Sequence, residues 1–388
     1  MTVKELLVTC AAAVATFETA FASHSEWEGK TGQISISKSA TWTMDDEDVA
    51  YINENISRIE VSGTLILDNL STWPRGTVTG YDGNLFWGTS GTVIKRGSGT
   101  LNSAYYNYRA TGTLIIEEGM VSQEKASLWG NRKTSAKIWV KDGATLRQNY
   151  GGIFGGTRLI LEGTGVDAVG ALVVNKADAG CVSYLILSNN ATVALNTTAK
   201  VFADYTSEKE GNRDPALMEL NGYTLTIGGT AGTVTMQNVS VSGGGAIKFA
   251  AGQARTFKAT GTTDLGSTKL IVEGDVTLDS GEWGDIEILE GATLTLAPAS
   301  ATSSVVISGV ISGAGSVAIG TSATPAVGRV ALMSANTYTG TTTMNGAEEF
   351  VLSLGNGAAI PDEGLAAWGE IGLDYHYGAE TADLQKEA

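Results

Sequence analysis

Gly291-Ala292-Thr293-Leu294-Thr295-Leu296 decides how this chain is read. Leu294 and Leu296 alternate with Thr293 and Thr295, a period of two that puts apolar side chains on one face of a strand and hydroxyls on the other. The same phrase recurs upstream as Gly63-Thr64-Leu65-Ile66-Leu67, Gly112-Thr113-Leu114-Ile115-Ile116 and Gly222-Tyr223-Thr224-Leu225-Thr226-Ile227. Variants open at Gly91, Gly143, Gly156, Asn190, Gly232 and Gly274. Short half-buried strands divided by Gly and Asn turns, at a spacing that drifts with loop length, fit a solenoid in which each coil lays its strands on the coil below.

Composition agrees. Of 388 residues, 50 are Gly, 46 are Thr and only 5 are Pro, while charged residues make up 17%. Collagen is excluded because Gly does not fall at every third position, and disorder is excluded by the 43% of hydrophobic residues recurring in short blocks. A helical bundle is excluded by the same strand-and-turn composition. A Greek-key sandwich also has short strands, but this length would need two or three of them, and no linker or composition shift divides Gly63 from Gly357. The expected architecture is all-β, a parallel β-helix over 63–357, with Leu65, Leu67, Leu114, Ile116, Leu225, Ile227, Leu294 and Leu296 facing inward. Residues 23–62 are expected to form an N-terminal cap and the first coils, and 358–388 a C-terminal cap or tail. Trp42 to Glu54, with the run Asp45-Asp46-Glu47-Asp48, and Leu365 to Ala388 break the phrase and read as the caps that blunt exposed ends.

Lys4, the apolar run Leu6 to Phe17 and Ala20-Phe21-Ala22 form the pattern of a cleavable secretory signal over 1–22, too short for a membrane span. With Cys10 inside it, Cys181 is the remaining thiol, so no intrachain disulfide is expected after cleavage. The formal charge of −16 repels phosphate backbones, and no basic patch offsets it, so nucleic acid is not an expected partner. No later stretch is long and apolar enough to read as a transmembrane segment.

Ile307-Ser308-Gly309-Val310-Ile311-Ser312-Gly313-Ala314-Gly315-Ser316-Val317, followed by Ser334-Ala335-Asn336-Thr337-Tyr338-Thr339-Gly340-Thr341-Thr342-Thr343, resembles the autotransporter-associated β-strand repeat. The close match covers about residues 307 to 357, and a looser one in Gly-Thr-Leu coils extends from Gly63. The resemblance implies a right-handed parallel β-helix exported to the bacterial cell surface, as in autotransporter passenger regions. No run of amphipathic strands follows Leu354, so an outer-membrane barrel is not expected in this chain.

Catalytic patterns are sparse. The two histidines, His24 and His376, lie near the ends, and no Cys/His metal spacing or phosphate-binding glycine loop occurs. Asp45-Asp46-Glu47-Asp48 offers oxygen ligands to a hard cation, against the plainer reading of a solvated charge run. Asp204, Glu208, Glu210 and Asp214 lie in a polar excursion from the coils, where functional groups concentrate. Trp73, Trp87, Tyr105, Tyr106, Tyr108 and Trp129 crowd the N-terminal half, and exposed rings there are candidate stacking surfaces for sugars. No cofactor is indicated. The expected function is a secreted or cell-surface structural and adhesive protein with a glycan or surface partner. The alternatives are a filament subunit self-associating through solenoid ends and a carbohydrate-binding or polysaccharide-degrading β-helix.

Overall fold

The computed structural model describes residues 24–74, 90–103, 110–124, 136–150, 157–176, 182–203, 205–206, 213–214, 216–347, 350–356, 359–361 and 365–367. They form a β-solenoid of about 12 turns, nearly all of it parallel β. The chain divides into two compact units, Met1–Leu159 and Ile160–Ala388.

The first unit begins with the short helix α1 (His24–Trp27), strands β1 (Gly32–Ile36) and β2 (Thr41–Met44), and helix α2 (Asp46–Asn55). Next come β3 (Ile56–Val61), β4 (Thr64–Asp68), β5 (Thr92–Arg96), β6 (Thr100–Ser103), β7 (Thr113–Ile116), β8 (Met120–Gln123), β9 (Lys137–Val140) and β10 (Thr145–Gln148). Strand β1 pairs with β3, β2 with β4, and the series β4, β5, β7, β9 continues one ladder while β6, β8, β10 form another, all parallel. Leu65, Val93, Leu114 and Ile138 stack into an inward column, each 0% exposed. The glycine that opens the phrase has a steric cause. A Cβ on Gly91 would lie 2.3 Å from the carbonyl oxygen of Gly63, and one on Gly112 would lie 2.0 Å from that of Gly91. Those carbonyls are already engaged, since Thr92 N–H donates to Gly63 O and Thr113 N–H to Gly91 O.

Two expectations for the ends are corrected. Trp42 does not break the coil, because it sits on β2 opposite Leu65 and meets Trp27 edge-on at 5.0 Å between centroids. The acidic run starts α2 inside the first coil. Asp45 Oδ1 accepts from the N–H groups of Glu47 and Asp48, and Asp48 Oδ2 accepts from Asp45 N–H, a reciprocal capping box whose carboxylates suit the positive end of a helix. At the other end, Leu365–Ala367 continues the ladder by pairing with Thr342–Met344, so coil pairing runs past 357.

Coils of the second unit carry up to three strands each. Strands such as Ile286–Ile288, Thr293–Leu296 and Ser304–Ile307 follow one another within a coil and stack on their counterparts in the next. Val276, Leu294, Val317 and Thr342 form one inward column, and Leu278, Leu296, Ile319 and Met344 another. Leu225, Ile227, Leu294 and Leu296 are 0% exposed, as inward alternation requires. Turn side chains tie neighbouring coils together: Asn238 Oδ1 accepts Thr262 N–H, Asp275 Oδ1 accepts Thr293 N–H, and buried Asn336 Oδ1 accepts Ile311 N–H at 2.7 Å. Tyr338 is buried, its hydroxyl 2.6 Å from Thr342 Oγ1, and a Cβ on Gly340 would lie 2.2 Å from Gly315 O. In the Asn-Thr-Tyr-Thr-Gly phrase Asn336 and Gly340 therefore fit against the preceding coil, while Tyr338 braces its own.

Candidate functional site

The regular stack is interrupted on one side of the second unit, where the ladder from Ala216–Glu219 to Val239–Ser242 continues into the next coil only as the bridge from Ser240 to Asp264. Strand Gly281–Trp283 is the first of a four-stranded sheet that continues through Ser304–Ile307, Arg329–Leu332 and Val351–Leu354. The preceding coil presents there not a strand but the turn Gly261–Gly266, leaving a cleft of about 490 Å³.

Hydrogen bonding shows which way that edge faces. Trp283 O accepts from Ser308 N–H at 2.8 Å and from Ser308 Oγ at 3.0 Å, so the peptide groups of Trp283 point to the inner neighbour. Parallel alternation then turns the N–H and C=O of Glu282 toward the cleft. Its exposed side chain extends from the same edge. On the opposite wall Asp264 is held by both backbone groups, its N–H donating to Val239 O and its C=O accepting from Val241 N–H. Asp264 Oδ1 accepts from Gly266 N–H at 2.8 Å, and Thr263 Oγ1 donates to Thr260 O at 2.7 Å.

The floor is aromatic. The Trp283 ring is 1% exposed and lies 5.0 Å from Phe257, which is also 5.0 Å from Phe249. The indole Nε1 is buried with no hydrogen-bond partner, an unsatisfied donor of a kind rare in native proteins. Gly281, at φ +107°, carries no side chain over it, and a Cβ there would lie 3.4 Å from Nε1. The cleft thus offers two carboxylates and a strand edge to a ligand rich in hydroxyl or amide donors, and it repels anions. Its carboxylates are set among hydroxyls and a glycine-rich turn, an arrangement suited to binding.

The sequence-predicted residues fare differently. Trp73 is 1% exposed, its backbone N–H donating to Asn102 O, so it is a core ring and offers no face to a sugar. Trp87, Tyr105, Tyr106, Tyr108 and Trp129 lie outside the described residues, as do Asp204, Glu208 and Glu210. Asp214 pairs antiparallel with Tyr205 at the backbone. The cation reading of Asp45 to Asp48 is replaced by helix capping. Asp46 Oδ1, too, is engaged, accepting from Ser71 N–H and Oγ. Among the described residues no group of three or more His, Cys, Asp or Glu is placed to hold a metal, and no helix is long and apolar enough to cross a membrane.

Sequence reasoning missed Asp264, Glu282, Trp283 and Ser308. A signal existed: Gly261 to Gly266 interrupts the strand phrase, and Trp283 stands between Gly281 and Gly284 in a half otherwise poor in large rings.

No protein-family model, no curated protein and no solved structure matches this chain.

Proposed function

We propose that the chain is a structural and adhesive β-solenoid of the bacterial cell surface, similar to an autotransporter passenger region, and that it binds neutral, hydroxyl-rich glycans in the cleft between Gly261–Gly266 and Gly281–Trp283. The observation that carries the binding half is the strand edge at Glu282, flanked by the carboxylates of Asp264 and Glu282 above a buried indole. Carboxylates accept from adjacent sugar hydroxyls, and the net charge of −16 disfavours acidic polymers. Surface placement rests on the signal-like N-terminus and the repeat at 307 to 343. The surrounding coils supply rigidity: core columns and side-chain fastenings hold the two walls of the cleft in register.

A second reading keeps recognition in the first unit. Pro74, Ser103, Glu124 and Tyr150, each the last described residue of its stretch, follow positions that are stacked, since Thr72 bridges Asn102, which aligns with Ser122 and then Arg147. Trp87, Tyr105, Tyr106, Tyr108 and Trp129 follow three of those four positions in sequence. A glycan array probed with the whole chain separates the readings. Binding lost in Asp264→Ala/Glu282→Ala but kept in Trp87→Ala/Tyr106→Ala supports the cleft, and the reverse pattern moves recognition to the first unit. Turnover of a bound polysaccharide overturns the adhesive reading in favour of an enzyme.

A further inference from the structure

One donor in the cleft makes a sharper demand on a ligand than the carboxylates do. Trp283 is 1% exposed, and its indole Nε1–H has no hydrogen-bond partner. The buried indole of Trp27, by comparison, donates to Thr43 O at 2.9 Å. A buried N–H left unpaired is costly, and a ligand that supplies an acceptor removes that cost.

The approach to Nε1 is narrow. Trp283 aligns with Ile307 in the next coil, and Gly281 aligns with Val305, both partners being core residues. Where the next coil carries the Val305 side chain, Gly281 carries none, and a Cβ on it would lie 3.4 Å from Nε1 and 3.5 Å from the ring carbons Cε2 and Cζ2. Gly281 and Trp283 both line the cleft, so the missing side chain leaves the indole N–H within reach of a slender group entering from it.

The group that reaches Nε1 meets three requirements. It is an acceptor, because the indole nitrogen only donates. It stands on an arm, because a sugar ring is too broad for a gap the size of a methyl group. It carries no proton of its own, because the ring of Phe257 lies 5.0 Å from that of Trp283 with Phe249 behind it, and a hydroxyl proton turned toward them would go unpaired. A ring hydroxyl fails the second and third requirements, and an exocyclic hydroxymethyl group fails the third.

The acetamido substituent of an amino sugar meets all three through its carbonyl oxygen. Its other parts suit the same cleft. The amide N–H donates, and acceptors stand nearby in the C=O of Glu282 and the carboxylates of Glu282 and Asp264. The methyl group is apolar, and Ala259 and Leu265 are among the lining residues. A carboxylate or sulfate on a sugar is also a bare acceptor, but it would enter between Asp264 and Glu282 as a like charge.

We propose that the sugar taken by this cleft is an N-acetylated hexosamine whose acetamido carbonyl accepts from Trp283 Nε1, which makes Trp283 the residue that tells it from the corresponding hexose. The proposal rests on the glycan reading of the cleft.

A glycan array of matched pairs tests it with the full chain, each N-acetylhexosamine oligosaccharide standing beside the hexose oligosaccharide of the same linkage. The expected result is a preference of about tenfold or more for the N-acetylated member, the scale set by leaving a buried polar group unpaired. Trp283→Phe keeps an aromatic floor without the donor. It should bring the N-acetylated member down to the level of its hexose partner and leave the hexose unchanged, with the melting temperature held near that of the parent. Should Trp283→Phe fold poorly, proton spectra of the parent decide: on saturation with the preferred oligosaccharide one of the eight indole N–H resonances should move downfield, and Asp264→Ala/Glu282→Ala should abolish that movement. Equal binding of both members, a preference that survives in folded Trp283→Phe, or indole resonances that all stay in place overturns the proposal and leaves the glycan reading standing. Binding of neither member of any pair ends the glycan reading, and this proposal with it.

Discussion

The inward columns of the two units obey one rule, while their outward columns have diverged. In the first unit the outer series reads Ile66, Ile94, Ile115, Trp139. In the second, an outward series on Thr224–Gly228 and its successors reads Thr226, Lys248, Ile271, Glu287, Ser312. Ion pairs cover that second series, Lys248 to Glu273 at 3.0 Å and Lys269 to Glu287 at 2.6 Å. The backbone ladder demands only that alternate residues fill the core, so the outer positions are free to differentiate. The first unit presents an apolar outer series, and the second presents a charged face with an interrupted edge.

The largest effect is expected where the inner rule is broken. Leu294→Asp places a carboxylate between Val276 and Val317 with no donor to meet it, and the whole chain should lose about 4 kcal/mol of stability or more in denaturant unfolding. An unchanged transition would show that Leu294 is not a core residue. The first unit holds an apparent counterexample. Lys95 is 0% exposed in the column Leu67, Lys95, Ile116, Val140, yet its ammonium reaches the coil corner and donates to the carbonyls of Gly97, Gly99 and Glu118. Aspartate at position 294 has neither that reach nor that cage. The second unit repeats the device with Arg255, which donates to the carbonyls of Gly229, Ala250 and Gln253.

Glycine opens the repeated phrase in both units for unequal reasons. Gly91 lies against the carbonyl of Gly63, whereas a Cβ on Gly232 would meet nothing within 4 Å. Gly91→Ala should cost about 3 kcal/mol by forcing two coils apart. Gly232→Ala should leave stability unchanged or raise it by about 0.5 kcal/mol through the unfolded chain. Thermal unfolding of the two variants side by side checks this, and equal melting temperatures would refute the close-approach account.

Lys95 gives the next effect, a dependence on pH. Burial lowers its pKa from 10.5 to about 8, against the opposing pull of Glu118 and Asp68. Between those values the unfolded chain holds a proton that the folded chain has released, so stability rises with pH across that window and the penalty of the buried charge is present in full below pH 8. From pH 8 to 9.5 the parent should gain about 2 kcal/mol relative to Lys95→Met. A gap between the two proteins that stays flat over this range would show that the ammonium keeps its proton.

Much of this was legible from residues alone. Alternation at Leu65 and Leu67, or at Leu294 and Leu296, fixed which side chains enter the core because strand geometry admits no other assignment once coils stack. The acidic run was legible as charge and as a break in the strand phrase, but not as the N-terminus of a helix that sits inside a coil. Trp73 was misjudged because composition cannot tell an inward ring from an outward one at an irregular strand end. The cleft was legible only as a break in the strand phrase from Gly261 to Gly266. It arises because one coil presents a turn where the next begins a new sheet, and no local pattern at Asp264 or Glu282 announces what the neighbouring coil lacks.

The smallest stability effects fall on the surface charges of both units. Lys269 and Glu287 are partly exposed, as are Arg96 and Glu117, and exposed pairs contribute little after screening and side-chain ordering. Lys269→Ala and Glu117→Ala should each change unfolding stability by less than about 1 kcal/mol, less still in high salt. Urea unfolding of the two variants at low and high salt checks this, and a loss well above 1 kcal/mol from either one would show that its pair is shielded from solvent more than its exposure implies.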